Sequence, residues 1–598
     1  MLAEGAPHNR ALYGGDFARN HRLIRLSAFA IAIGTMSTGG AILLLDAIRF
    51  FTNLFFFQTL SFSQRSPAGN HLGVFVILIP AIGGLVVGLM ARYGSEKIRG
   101  HGIPEAIEAI LFGKSRMSAK IAILKPLSSG IAIGSGGPFG AEGPIIMTGG
   151  AAASLLAQAF HLTAAERKAL LVAGACAGMT AVFGAPLAAV LIAVELLLFE
   201  LRPRSLLPVA LSCAVAAFLR PLWAGTDALF PLQTQAPSLV AMLSCCAAGL
   251  ASGAVSALMT HLLYRVEDLF SRLPLHWMWW PALGGLAVGL GGLMQPRALG
   301  VGYDVIADLL QHHLLISAAI SLVLVKLMIW VIALGSGTSG GVLAPLLMIG
   351  AGLGSILGAW LPGGSPQLWA LVCMAAILAG TMRAPLTAVV FAFELTRDVN
   401  AFLPTLLGCA VAYGFTVMVM PRSILTEKIA RRGRHVYREY GVDPLEQHFV
   451  DEVMTRDPLT IAGSMTASDV LTAYFGEKQQ HRAYPVITDG QTVGMMDRSM
   501  LSGLSRYAMT QPVARSFPDP DELIFALPSD TCRAAALRLA AHGLERLPVL
   551  NNSDARELIG VISRSDLIKP SSALHEEEGH RESFFSSKKP VNSTSHHE

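Results

Sequence analysis

Charge is what this chain has least of. Only 14% of its 598 residues are Asp, Glu, Lys or Arg, against 53% that are hydrophobic, and the mean hydropathy is +0.52. A soluble domain carries about a quarter of its residues as charges, so a wholly soluble chain is excluded and a membrane class follows. The net charge of +4 gives no reason to expect nucleic acid or an acidic polymer as partner. Metal-ligand spacing is lacking too. Cys176, Cys213, Cys245, Cys246, Cys373, Cys409 and Cys532 lie mostly within apolar stretches, read as small core residues, and predict neither a metal centre nor disulfides. There is no signal-peptide layout: Arg10, Arg19, Arg22 and Arg25 precede an apolar stretch longer than such a signal needs. The positive-inside rule then puts the N-terminus in the cytoplasm.

Long uncharged runs are present instead. Leu72 to Ala91 and Leu239 to Thr260 cover 20 and 22 residues without a charged side chain, enough to cross about 30 Å of hydrocarbon as helix. The 59 glycines and 32 prolines fall largely inside such regions, which predicts short, broken, closely packed helices. Apolar helical segments run from about 23 to 420, and Lys428, Arg431, Arg432 and Arg434 mark a cytoplasmic exit. Short strands and amphipathic helices then alternate as in a soluble α/β module. The expected organisation is a cytoplasmic segment 1–22, a membrane domain 23–435 with halves 23–220 and 238–435, soluble modules 448–508 and 510–570, and a disordered tail 571–598.

The halves repeat. Lys125 precedes Gly134-Ser135-Gly136 by nine residues, as Lys326 precedes Gly335-Ser336-Gly337, an offset of 201 that Pro144/Pro345 and Met147/Met348 share. Ala185-Pro186-Leu187 with Glu195 returns as Ala384-Pro385-Leu386 with Glu394, at an offset of 199. Paired repeats with glycine-broken helices point to a transporter-like site near the bilayer midplane.

Three stretches read as helix starts at such a site: Gly100-His101-Gly102-Ile103-Pro104-Glu105, Gly140-Ala141-Glu142-Gly143-Pro144 and Gly341-Val342-Leu343-Ala344-Pro345. Proline is tolerated in a first turn and glycine permits close approach. Such N-termini aimed at one point present unpaired N–H groups and partial positive charge, which bind an anion without holding it too tightly to leave.

In their order, these motifs resemble the ClC family of chloride channels and proton/chloride exchangers, in which the corresponding stretches read GSGIPE, GREGP and GIFAP. The resemblance runs from about residue 20 to 435. It implies an all-α polytopic fold of two inverted halves, one pore per subunit of a homodimer, chloride or a similar small anion as cargo, and Glu142 as the gate. A carboxylate at an intramembrane helix start mimics an anion, and protonation would release it; the other reading of Glu142 is a helix cap. His101, Gly102, Ile103, Gly140, Ala141, Gly143, Val342 and Leu343 are the candidate anion-binding residues. Departures from the family are His101 for serine, Ala141 for arginine, Leu343 for phenylalanine and, near Pro421, the missing tyrosine. His101 reads either as a ligand or as a satisfied polar residue. Leu196 stands where exchangers place an inward-side glutamate, which favours a channel over a proton-coupled antiporter. Glu195 and Glu394 read as helix-end residues, and Lys125 and Lys326 as buried lysines that add positive potential or pair with carbonyls.

Residues beyond 448 resemble a pair of cystathionine-β-synthase-type (CBS) modules, carried by Tyr484-Pro485-Val486, Leu547-Pro548-Val549 and Gly560-Val561-Ile562-Ser563-Arg564-Ser565-Asp566. By that resemblance Ser563 and Asp566 are candidate adenine-nucleotide contacts, with a purely dimerising role equally open. No other cofactor and no metal is expected, and no enzymatic activity. The one enzyme-like signal, Gly337-Thr338-Ser339-Gly340, resembles a rhomboid-type serine-protease loop, for which His312 and His313 are poorly placed bases. A CBS-regulated cation transporter would need clustered inward carboxylates, which the spans lack. The expected location is a cell membrane of bacterial inner-membrane type, multi-pass, with both termini cytoplasmic.

Overall fold

Glycine sets how closely the two halves meet. Gly84 lies against the carbonyl of Pro281, and Gly285 lies against that of Pro80; a Cβ on either would come within 2.2 Å of that oxygen. This reciprocal contact joins two repeat-equivalent helices, as two-fold-related halves require. The computed structural model describes residues 22–434, 436, 443–476, 479–517, 523–552 and 556–569. The segment before 22 and the tail 571–598 lie outside the described residues.

The described part of the membrane unit, within Phe17–Tyr440, is built of helices and the loops that join them. Its first half comprises α1 (Arg22–Phe57), α2 (Leu78–Tyr93), α3 (Ile103–Leu111), α4 (Ala119–Gly134), α5 (Glu142–Gln158), α6 (Ala164–Phe183), α7 (Pro186–Ile192), α8 (Pro203–Leu219) and the short α9 (Pro221–Ala224). Its second comprises α10 (Leu239–Ser271), α11 (Trp280–Met294), α12 (Tyr303–Leu310), α13 (Ile316–Gly335), α14 (Leu343–Leu357), α15 (Pro366–Met382), α16 (Pro385–Thr396), α17 (Phe402–Val419) and α18 (Ile424–Arg431). From α1 against α10 to α8 against α17 the order repeats element by element. Among the described residues six helical stretches are long and apolar enough to cross a membrane, including Gly73–Tyr93 and Leu239–Ser271. Several others are half-length because glycine or proline interrupts them. Local chemistry fixes their ends: Thr163 and Glu166 exchange side-chain-to-backbone hydrogen bonds at the start of α6, and Gly184 ends it at φ +68°. The cysteines of this unit sit in its helices, buried apart from the half-buried Cys246.

Among the described residues the soluble unit holds two three-stranded sheets. Strands β2 (Ile461–Ala462), β3 (Ala483–Thr488) and β4 (Gln491–Asp497) form one. The other orders β1 (Thr455–Arg456), β6 (Leu558–Ser563) and β5 (Arg546–Leu550), pairing Thr455 with Val561. Val450, Val453 and Met454, at the start of the first module, pack with Ala526, Leu547 and Ile562 of the second in one core.

Candidate functional site

The three helix starts meet. Gly140 and Gly341 exchange backbone hydrogen bonds of 3.3 and 3.0 Å, and Gly340 donates to the carbonyl of Gly100 at 3.4 Å. Close approach is what the glycines permit. A Cβ on Gly143 would lie 1.9 Å from the carbonyl oxygen of His101, and Gly102, at φ +87°, faces the carbonyl of Gly143. Gly102 and Gly140 spend their N–H groups inside the protein, on the Glu105 carboxylate at 3.0 Å and on the Gly341 carbonyl. Among the described residues the N–H groups of Ile103, Gly143 and Val342 meet no protein acceptor. Buried N–H groups are seldom left so, and an anion at the junction would satisfy them.

Glu142 is fully buried at the start of α5, flanked by buried Ala141 and Gly143. One carboxylate oxygen accepts the N–H of Leu343, the repeat counterpart of Glu142 itself, and the other has no partner. Carboxylate and helix start thus come from opposite halves. Glu142, Ile103, Leu343 and Leu196 line one small cavity of about 10 Å³, at the threshold for a single water.

His101 is buried with both ring nitrogens unpartnered, which removes the satisfied-polar reading. Its ring borders a second cavity, of about 610 Å³, whose wall carries six basic and four acidic side chains. At that wall Glu105 is held by Arg432 at 3.0 Å and Lys428 at 3.4 Å, which ties the start of α3 to α18. Pro421 is exposed and its carbonyl accepts from Arg383 at 3.3 Å. A tyrosine of another helix lies by this cavity. Tyr264 of α10 lines the same cavity as His101, donates its hydroxyl to the carbonyl of Ile424 at 2.5 Å, and lies under the Arg431 guanidinium at 4.6 Å. Nothing local in the sequence marks Tyr264, because its partners are 160 or more residues away.

The buried charges have structural partners. Lys125 donates to the carbonyls of Ile98 and Gly100 at 2.8 and 2.9 Å and to the Ser339 hydroxyl at 3.0 Å. Lys326 donates to the equivalent carbonyls of Ala298 and Gly300 at 3.0 and 2.8 Å. Glu195 accepts from the N–H groups of Leu386 and Thr387, and Glu394 from those of Leu187 and Ala188; each half caps a helix of the other. Glu200 instead bonds the Ser205 hydroxyl at 2.8 Å. The protease reading fails. Ser339 is engaged by Lys125, Ser128 and Ser129, and His312 faces Ser355.

In the soluble unit Ser563 and Asp566 are adjacent. The Asp566 carboxylate accepts from the Ser563 hydroxyl at 2.6 Å and N–H at 2.9 Å, and from Lys569 at 2.6 Å. Burial pushes its carboxyl up, but the hydrogen bonds from Lys569 and Ser563 outweigh this and hold it below the usual carboxylate range.

Residues 83–417 match the family model described as voltage gated chloride channel, and residues 450–502 and 509–572 each match the CBS domain. A ClcB-like chloride channel protein of Ralstonia nicotianae is 31% identical over 59% of this chain and 85% of its own length. The voltage-gated ClC-type chloride channel ClcB of Citrobacter koseri is 33% identical over 60% of this chain and 86% of its own. Two solved structures share the fold. A slow cyanobacterial Cl⁻/H⁺ antiporter superposes with a TM-score of 0.60 at 22% identity, over 69% of this chain and 98% of its own. A eukaryotic CLC transporter gives 0.56 at 20% identity, over 91% and 98%.

Proposed function

The chain belongs to the voltage-gated chloride channel (ClC) family, multi-pass membrane proteins of chloride transport, and from that premise we propose that it conducts chloride or a similar small anion through a glutamate-gated pore in each subunit of a homodimer. The carrying observation is that the Glu142 carboxylate takes a main-chain N–H of the opposite half, at a junction where further N–H groups go without acceptors. An anion and this carboxylate compete for the same donors, so protonation of Glu142 opens the path. Ile103, Gly143 and Val342 offer N–H groups to the anion, with His101 at its approach and Gly102, Gly140, Ala141 and Leu343 shaping the junction. Both termini face the cytoplasm, so the basic cavity around His101 is the inner mouth.

Channel activity is favoured over exchange by Leu196, an apolar side chain on the cavity that also holds Glu142, since a proton relay needs ionisable stations. The second reading is a proton-coupled antiporter, the activity named for the cyanobacterial neighbour. Liposomes holding the purified protein under a chloride gradient separate the two. A reversal potential that is the same at two pH gradients is expected; a shift with the proton gradient makes the protein an exchanger, and the absence of anion current refutes the proposal. In the soluble unit the carboxylate of Asp566 is already engaged by its own chain, which favours a dimerising role for the CBS pair. ATP or AMP titrated into the full-length protein should leave its fluorescence and its flux unchanged, and saturable binding would assign nucleotide sensing to Ser563 and Asp566.

A further inference from the structure

The repeat builds a second glycine-opened helix start that the pore account leaves unused. Gly300-Val301-Gly302-Tyr303, leading into α12, matches Gly100-His101-Gly102-Ile103, leading into α3. It borders a cavity of about 700 Å³, framed by the C-terminal part of α1, the segment 64–67 and the end of α8 with α9. Arg220 stands in that wall at only 9% exposure. One guanidinium nitrogen donates to the carbonyl of Gly225 at 3.2 Å, and Nε is buried with no partner. Its carbon lies so close to Gly184 that a Cβ there would approach within 2.9 Å. Among the described residues no carboxylate pairs with Arg220. The charge near it is another cation, Arg397, itself bound to the carbonyl of Thr226 at 2.7 Å.

A buried cation beside a second cation and without an acid is costly unless an anion visits it. The Tyr303 hydroxyl, on the same cavity, is also buried without a partner, its ring edge-on to Phe183 at 6.1 Å. The other charges of the cavity are committed or peripheral: Arg49 pairs with Asp46 at 3.0 Å, Arg65 lies over Phe57, and Asp304 is exposed. The Glu142 carboxylate lies near enough to Tyr303 to act on it electrostatically, and its neighbours Ala141 and Gly143 carry no charge. We propose that Arg220 and Tyr303 form a second anion site in this cavity, which takes a monovalent anion of the chloride class before it reaches Glu142. Such a site raises the local anion concentration at the mouth and hence the rate of entry. The inference rests on the anion pathway proposed above.

Current through protein inserted in one orientation in a planar bilayer tests it, with chloride varied on one face at constant ionic strength. Arg220→Gln is expected to raise the half-saturating chloride about three- to tenfold from the face of the 58–72 segment and to leave the other face unchanged. Arg220→Lys should restore most of the loss, because charge is what the site needs, and Tyr303→Phe should raise half-saturation about twofold. An unchanged value in Arg220→Gln, or a lysine variant as weak as the glutamine one, overturns the proposal and leaves Arg220 as an anchor for the 225–226 loop. Wild-type crystals soaked in bromide give a reading independent of how the variants fold: anomalous density beside Arg220 is expected, and none at saturating bromide overturns the site. A wild-type protein that carries no anion current at all instead removes the function on which the site depends.

Discussion

The two halves of the membrane unit share a frame and differ in what they attach to it. Lys125 and Lys326 reach over the same turn of backbone and bind equivalent carbonyls. Only Lys125 also has a hydroxyl, because Ser339 of the second half is matched by Pro138 in the first. Glu142 faces Leu343, its own counterpart, so one half supplies a carboxylate and the other the N–H that holds it. At the turn before α7 and α16 the halves hold Gly184 and Arg383, both at positive φ. In the first half the guanidinium against that turn comes from Arg220, and in the second it comes from Arg383 and binds the carbonyls of Thr416 and Met420. Duplication thus supplies the scaffold, and the positions where the copies disagree carry the chemistry.

The lysines give the largest expected effect. Lys125→Met removes three hydrogen bonds from the interior and should cost about 3 kcal/mol, against about 2 kcal/mol for Lys326→Met, which removes two. Thermal denaturation in detergent checks the order, and equal losses would mean that Ser339 adds nothing. The reciprocal caps come next. Glu195→Ala and Glu394→Ala should each cost about 1 kcal/mol, as losing a helix N-cap does, and their double variant should show the sum, since the two carboxylates cap different helices. Replacing His101 with serine acts on affinity: removal of the ring should shift half-saturating chloride from the basic cavity by about threefold, and identical curves would reduce His101 to lining.

Asp566 gives the smallest effect and contrasts the soluble unit with the membrane unit. Its folded carboxyl titrates below the usual range, so it contributes stability above the unfolded value of about 3.9 that is lost as pH falls through the lower folded value. Asp566→Asn should therefore be less stable than wild type at pH 7, and the two should converge at lower pH. A constant difference down to the acid limit would show that the linkage is absent.

Much of this was legible in the sequence. The offsets of 201 and 199 residues predicted the duplication, and the Glu195/Glu394 pair predicted a helix-end role, which the structure shows as mutual capping. Glycine and proline fix local backbone, so helix starts are written in short stretches. Partners across the fold are not. Tyr264, Arg220 and Tyr303 acquire meaning only when α10, α8 and α12 are brought beside the cavities, since an arginine near a helix end or a tyrosine at a helix start is otherwise ordinary. The role of Glu105 was hidden for the same reason: its carboxylate binds Gly102 three residues away and α18 more than 300 residues away. The two states open for His101 differed in its surroundings alone.

Competition between the Glu142 carboxylate and an anion for the same main-chain donors is measured most directly by chloride calorimetry on wild type and Glu142→Gln across pH. Wild-type affinity should rise as pH falls, while the glutamine variant should bind more tightly at pH 7.5 and show no pH dependence. Equal affinities for the two proteins at every pH would contradict the account.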